Sequence, residues 1–314
     1  MISETGMTAA PRAPADDVKP WFFRWEGPTW FLAAGIYAAW AGLVWYHAVL
    51  PWWVLVPVGA YIIGLHFSLQ HEAIHGWRSC PTWLRTIMVW PPIGLWLPYE
   101  IYRRGHARHH RNADLTYPGK DTETYYHTRA DWEAFSPLWR GLLMANQTFL
   151  GRVTVGPAMR LYKLFTRDLA KFFKGDFSDT GIWLLHIGGC AGVLWFVMAA
   201  AGMPWTDYLL LICLPGMMLS WVRPFLEHRW GDKPYHRVAA IPSNWFFGLL
   251  FLWNNIHIVH HLHPTMPWYE IPGYFRKNRD AMLAANGGYY ISGYWPLVRD
   301  YWRKPAFSPI HPES

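Results

Sequence analysis

The sequence predicts an all-α integral membrane protein, with four transmembrane helices in two hairpins and a cytoplasmic helical cap that holds a metal site. Three observations lead there. Apolar residues, 52% of the 314, come in long charge-free blocks. Basic residues avoid those blocks, and histidines recur at helical spacing beside the blocks' ends.

The first element, residues 1–28, is polar, rich in Pro and Ala, and lacks the charged-then-apolar order of a signal peptide. It is expected to be a disordered cytoplasmic tail, with 29–314 forming a single membrane domain. Residues 29–70 contain no Asp, Glu, Lys or Arg. A spanning helix needs about 20 apolar residues, so this block has room for two crossings, about 29–50 and 51–75. Pro51 marks the turn between them, and Trp52 and Trp53 behind it are aromatic anchors for a membrane surface.

A second block runs through GIWLLHIGGCAGVLWFVMAA, breaks at AGMPWTD and resumes as YLLLICLPGMMLSWV toward Glu227. It reads as a second hairpin, with spans of about 181–201 and 207–228. Charge-free runs of this length argue against two buried hairpins of a soluble helical protein. Residues 76–180 and 229–314 make the cap. Within it, 77–98 and 241–255 are apolar but short or interrupted, and are expected to lie along the inner interface and seal a lipid-entry groove.

The basic residues supply the orientation. None of the 28 lies between Trp25 and Trp77 or between Gly175 and Val222, so two hairpins place them all on one face. Cytoplasmic flanks collect Lys and Arg, which puts both termini and the cap in the cytoplasm, expected beneath a bacterial inner (plasma) membrane. Topology and attraction to anionic headgroups account for the formal charge of +7. With no basic stripe separate from the membrane scaffold, no nucleic-acid partner is expected. Cys80, Cys190 and Cys213 show no disulfide or zinc-ribbon spacing.

Sixteen histidines are present, and nine fall into four places. His71 and His75 end the second crossing. His106, His109 and His110 follow in RRGHARHHRN, His228 ends the fourth crossing, and His257, His260 and His261 follow in WNNIHIVHHLHP. Spacings of three and four return helical side chains to one face, and the topology brings all nine to the cytoplasmic end of one bundle. Nine imidazoles are too many for one zinc, which takes about four ligands. They suit two metals of higher coordination, and imidazole alone is compatible with iron, copper, nickel or zinc. At a membrane site the substrates at hand are lipids. Attacking an unreactive alkyl chain takes oxidising chemistry, which iron with dioxygen can supply and zinc cannot.

These motifs resemble the membrane-bound histidine-box di-iron enzymes: fatty acid desaturases with the related alkane and carotenoid hydroxylases. The resemblance runs from His71 to Trp268 in the family's order: H-x-x-x-H, H-x-x-H-H, an isolated histidine, then H-x-x-H-H. NNIHIVHHLHPTMPWYEIP is most similar to the third box of bacterial acyl-lipid desaturases. The resemblance implies that the nine histidines hold two Fe ions (Fe2+/Fe3+), that O2 is co-substrate, and that the metal ligands are the catalytic groups. Loss of a second hydrogen gives an alkene and oxygen transfer gives an alcohol. Desaturation of a lipid or fatty acyl chain is the first expectation; hydroxylation, ketone formation or a terminal alkene is the alternative. One departure is Pro224, where animal acyl-CoA desaturases place an Asn that supports the metal through water.

Around the ligands, Glu72, Asp114, Glu227, Asn254 and Asn255 are candidates to orient a ligating histidine or link to a metal through water. Glu72 could equally cap or pair at the surface, and Arg223 with Glu227 makes an (i, i+4) ion pair. His263 is expected to point away, and His66, about 140° round the helix from His71, to pack. HEAIH by itself also fits an intramembrane zinc protease, but no Asp-Gly exists to supply the further ligand. A metal transporter would place polar ligands near mid-membrane. The chain carries no His-Pro-Gly-Gly haem motif and no iron–sulfur cysteine set, so electrons are expected from a separate protein of ferredoxin, rubredoxin or cytochrome b5 type.

Overall fold

A computed structural model describes residues 19–111 and 113–314. Most of the expected tail therefore lies outside the described residues. Its described end is ordered. Helix α1 (Trp21–Arg24) is followed by α2 (Gly27–Trp45), and Lys19 pairs with Glu270 at 2.8 Å. Pro28 opens α2, where its missing N–H costs nothing.

The axis of the molecule is α3 (Trp52–His75), which begins behind Pro51 and is buried almost continuously from Ile62 to Ala73. Gly76 stops it, and a Cβ there would lie 2.6 Å from the Glu72 carboxylate. The cap then runs through α4 (Thr82–Val89), α5 (Tyr99–Arg111), α6 (Arg129–Ala134), α7 (Pro137–Asn146) and α8 (Phe149–Phe173). Side chains of Thr128, Ser136 and Thr148 cap α6, α7 and α8 by accepting backbone N–H bonds.

Helices α9 (Thr180–Ala200) and α10 (Trp205–Ser220) form the second hairpin, and each contains a π-helical stretch, Phe196–Ala200 and Tyr208–Cys213. The return path through the cap carries α11 (Trp245–Leu250), α12 (His257–Leu262), α13 (Ile271–Lys277), α14 (Arg279–Ala285) and α15 (Tyr294–Tyr301). Among the described residues, β-structure is confined to three isolated bridges. Both α2 and α10 pack along α3, and α4, α5 and α11 close around its inner end.

Among the described residues, two helices, α3 and α9, are long and apolar enough to cross a membrane. The structure departs from the expected four spans at three points. Helix α2 ends at Trp45, short of the expected 50, and is not one of those two. The apolar helix α10 has only the residues Trp205–Ser220, short of the length of a full crossing. The fourth segment also stops being helical eight residues before His228, because the Pro224 ring would collide with the Ser220 carbonyl and disfavours helical geometry at Arg223. His228 therefore sits beyond a run of turns rather than on a helix end. The segments 77–98 and 241–255 contribute only the short helices α4 and α11, each well under the length of a crossing.

Candidate metal centre

The nine histidines come together in two groups. Ring nitrogens of His71, His75, His106, His110 and His260 all lie within 4.8 Å of one another, and so do those of His109, His228, His257 and His261. The H-x-x-H-H spacing explains how two helices serve both groups. At 100° per residue, position i+4 returns about 40° past position i, whereas i+3 falls about 60° short of it. Accordingly α5 sends His106 and His110 to the first group and His109 to the second. Helix α12 does the converse, sending His257 and His261 to the second group and His260 to the first.

Between the rings, nitrogens face nitrogens. His260 Nε2 is 2.9 Å from His110 Nε2, His228 Nε2 is 3.0 Å from both His109 Nε2 and His257 Nε2, and His261 Nε2 is 3.1 Å from His257 Nε2. Both ring nitrogens of His71 and Nε2 of His75 and His106 are buried without a hydrogen-bond partner. Buried polar atoms are seldom left so. A cation shared by convergent lone pairs, one from each ring, satisfies one nitrogen of each histidine, and an imidazole set of this kind fits iron, copper, nickel or zinc.

Four of the outward-facing nitrogens are held. His106 Nδ1 donates to Glu123 and His109 Nδ1 to Asp121, each at 2.8 Å. His257 Nδ1 donates to the Asn254 carbonyl at 3.0 Å and His228 Nδ1 to the Arg237 carbonyl at 3.1 Å. Each bond fixes the tautomer that turns the Nε2 lone pair inward. Asp121 is itself fixed by the N–H groups of Thr116 (2.8 Å) and Glu123 (2.9 Å).

Burial, then the neighbouring histidines, pushes His110 and His261 below the ordinary imidazole value, which keeps them neutral donors. Burial also leads the lowering of His257 and His260. His109 differs: burial opposes its charge, but the Glu123 and Asp121 carboxylates outweigh burial and raise it. For Glu123, burial is overcome by His106 and His109, which hold the carboxyl well below its usual range.

The acidic and amide candidates sort differently from expectation. Glu72 accepts from the Trp268 N–H at 3.4 Å, and both ring nitrogens of His71 lack a hydrogen-bond partner, so Glu72 does not orient that histidine. Asp114 pairs with Lys120 at 3.1 Å on the surface; Asp121 holds the histidine instead. Glu227 pairs with Arg223 at 3.4 Å and reaches within 3.6 Å of His257 Nδ1. Asn254 acts through its backbone carbonyl, while its amide donates to the Phe251 carbonyl. Asn255 spends its amide on the Ile241 carbonyl and Ser243. His263 bonds Tyr274 and His66 bonds Tyr37, both outside the two groups.

Asp121 and Glu123 escaped the reading of the sequence. They follow His110 by 11 and 13 residues in a loop, YPGKDTETYY, with no helical period to tie them to it.

A cavity of about 160 Å³ reaches His71. Phe67, Trp96, Trp221 and Phe251 give it apolar walls, and Tyr102 and Glu123 line it beside the histidines. Helical scaffold, paired histidine groups and adjoining cavity together define the class of helical proteins able to hold two metal ions beside an apolar substrate site. Residues 47–294 match the family model for fatty acid desaturase, well over half of the chain, and the protein belongs to that membrane-associated, iron-using desaturase and hydroxylase family. Membership makes it an oxidoreductase with a lipid or fatty acyl substrate. No curated protein matches the chain.

Proposed function

We propose that this protein is an O2-dependent di-iron oxidoreductase that desaturates the acyl chain of a lipid or fatty acid. The observation that carries the reading is the pair of buried histidine groups, five and four strong, opening on an apolar cavity at His71. Iron bound there, with dioxygen and electrons from a ferredoxin, rubredoxin or cytochrome b5 type donor, supplies the power to oxidise an unactivated C–H bond. The nine histidines hold the ions. Asp121, Glu123 and the Asn254 and Arg237 carbonyls keep the rings turned inward, and the aromatic walls hold a methylene near His71 and exclude water.

Family membership and the outward-facing apolar side chains of α9, among them Leu184, Leu185, Ile187 and Trp195, support an integral membrane protein. Four crossings complete the proposal, by α2, α3 and α9 and by the short α10 together with the turns that follow it, with the cap cytoplasmic at a bacterial inner membrane. The charge-free sequence of α2, the confinement of charge in α10 to Asp207 in its first turn, and the packing of both along α3 support it.

The test is expression with a compatible electron donor in a host lacking its own desaturase, followed by acyl-chain analysis. New unsaturated species that vanish in His260→Ala, and about two irons per chain, are expected. Hydroxylated or ketonic products would move the assignment to a hydroxylase or ketolase. One stoichiometric zinc with negligible iron would overturn it.

A further inference from the structure

Past α15 the chain forms no further helix, yet residues 302–314 are fastened to the cap. The Leu150 N–H donates to the Trp302 carbonyl at 3.1 Å and the Ala306 N–H to the Gln147 carbonyl at 2.9 Å, which seats the segment at the start of α8. Farther on, the His127 N–H donates to the Pro309 carbonyl at 2.8 Å and the His311 N–H to the His127 carbonyl at 2.9 Å. His127 lies at the end of the loop 113–128 that carries Asp121 and Glu123. Residues 302–314 are a strap laid against that loop.

Three strap side chains reach the groups that orient metal-facing histidines. Phe307 stacks on Tyr126, with ring centroids 5.1 Å apart, and the buried His311 lies 4.4 Å from Tyr117 and 5.3 Å from Tyr126. Glu313 accepts from the Tyr117 hydroxyl and, at 3.3 Å, from the Trp230 indole. Tyr117 leads to two orienting groups. Its carbonyl accepts the Asp121 N–H at 3.0 Å, and Asp121 holds His109. Its ring lies 5.0 Å from the guanidinium of Arg237, whose carbonyl holds His228. Tyr126 accepts the N–H of Trp230, two residues past His228, at 3.1 Å. In the five-histidine group one ligand, His106, draws on the loop through Glu123. That stretch is also tied to α5 directly, since Thr122 donates to the Gly105 carbonyl at 2.8 Å.

A loop lacks a helix's hydrogen-bond ladder to hold a carboxylate still, so its order comes from what packs on it. We propose that Phe307, His311 and Glu313 are positioning residues for the four-histidine group. By pinning Tyr117 and Tyr126 they keep Asp121 and the Arg237 carbonyl against His109 and His228. This rests on reading the two groups as a pair of metal centres. Loosening the strap frees two ligands of the four-membered group and one of the five-membered group, so the ion of the four-histidine group leaves first.

Cobalt retention tests this without turnover. Purified full-length protein would be stripped, reloaded with Co2+ and exposed to graded EDTA, and the bound cobalt counted. H311A should release one ion at about tenfold less chelator than the parent, with the second ion leaving at the parental concentration. H311F, which keeps a ring between the two tyrosines, should restore retention. In H228A, which disables the four-histidine group, adding H311A should leave release of the remaining ion unchanged. Parental retention in H311A overturns the proposal. So does parallel loss of both ions, which a general weakening of the fold would produce, or a further loss in H228A/H311A. If H311A does not fold, E313A, on the surface, decides by the same criteria. A parent chain that holds fewer than two Co2+ overturns the paired-centre reading and the strap's role with it, whereas two ions with parental retention in H311A overturns the strap's role alone.

Discussion

Asp114 and Asp121 lie seven residues apart in one loop, carry the same carboxylate, and do different things. Asp121 is buried, holds His109 Nδ1 at 2.8 Å and is braced by two backbone N–H groups; Asp114 meets Lys120 at the surface. Orienting partners of metal-binding histidines typically matter by about 10–100-fold in affinity, whereas exposed ion pairs contribute at most about 1 kcal/mol. Asp121→Asn should therefore weaken metal retention by the four-histidine group by roughly 10–100-fold, and Asp114→Asn should leave it unchanged. Metal analysis after graded chelation reads both. Equal retention in the two variants would show that Asp121 only anchors the loop. Sequence distance favoured the wrong residue: Asp114 is four past His110, but α5 ends at Arg111, so helical spacing no longer applies there. The converse holds for His109, which shares its α5 motif with His106 and His110 yet joins the other group. Its place was legible only as membership of a motif, because assigning it to a centre requires knowing which helix faces α5.

At the scale of elements, helical period carried the reading furthest where the helix is real. The motifs on α3, α5 and α12 all lie in helices, so spacings of three and four predicted convergence. Beyond α10 the period fails, since Pro224 turns the chain before His228. Leu226, with φ 64°, and Leu252 and Trp253, with φ 48° and 55°, hold left-handed backbone shortly before His228 and His257. Such strain near a site is kept only where surrounding packing over-determines it, and it is invisible in composition. The contact between α3 and α10 depends on small residues. A Cβ on Gly216 would meet Ile63 at 2.4 Å, whereas one on Gly188 of α9 would meet nothing within 4 Å. Gly216→Ala should destabilise by about 1–3 kcal/mol through overpacking. Gly188→Ala should be neutral or stabilising by up to about 1 kcal/mol. Thermal unfolding in detergent compares them, and a stable Gly216→Ala protein would mean that α10 is free to shift along α3.

For the whole molecule, topology is the claim on which the rest depends. The metal groups assemble from α3, α5, the segment after α10, and α12. If α4 or α11 crossed a bilayer, His106 to His110 or His257 to His261 would be carried to the far side. Both helices are too short to do so. The turn between α2 and α3, around Ala48, and the turn between α9 and α10, around Thr206, then share the face opposite the cap, and both residues are exposed. Lys304, also exposed, belongs to the cap. In a chain freed of Cys80, Cys190 and Cys213, single cysteines at Ala48 and Thr206 should react with an impermeant thiol reagent on intact cells. A cysteine at Lys304 should react only after permeabilisation. Labelling at Lys304 from outside would invert the orientation. Labelling at only one of Ala48 and Thr206 would leave one hairpin uncrossed, and the basic residues, absent from both hairpins, would then lose the shared face that the positive-inside bias gives them.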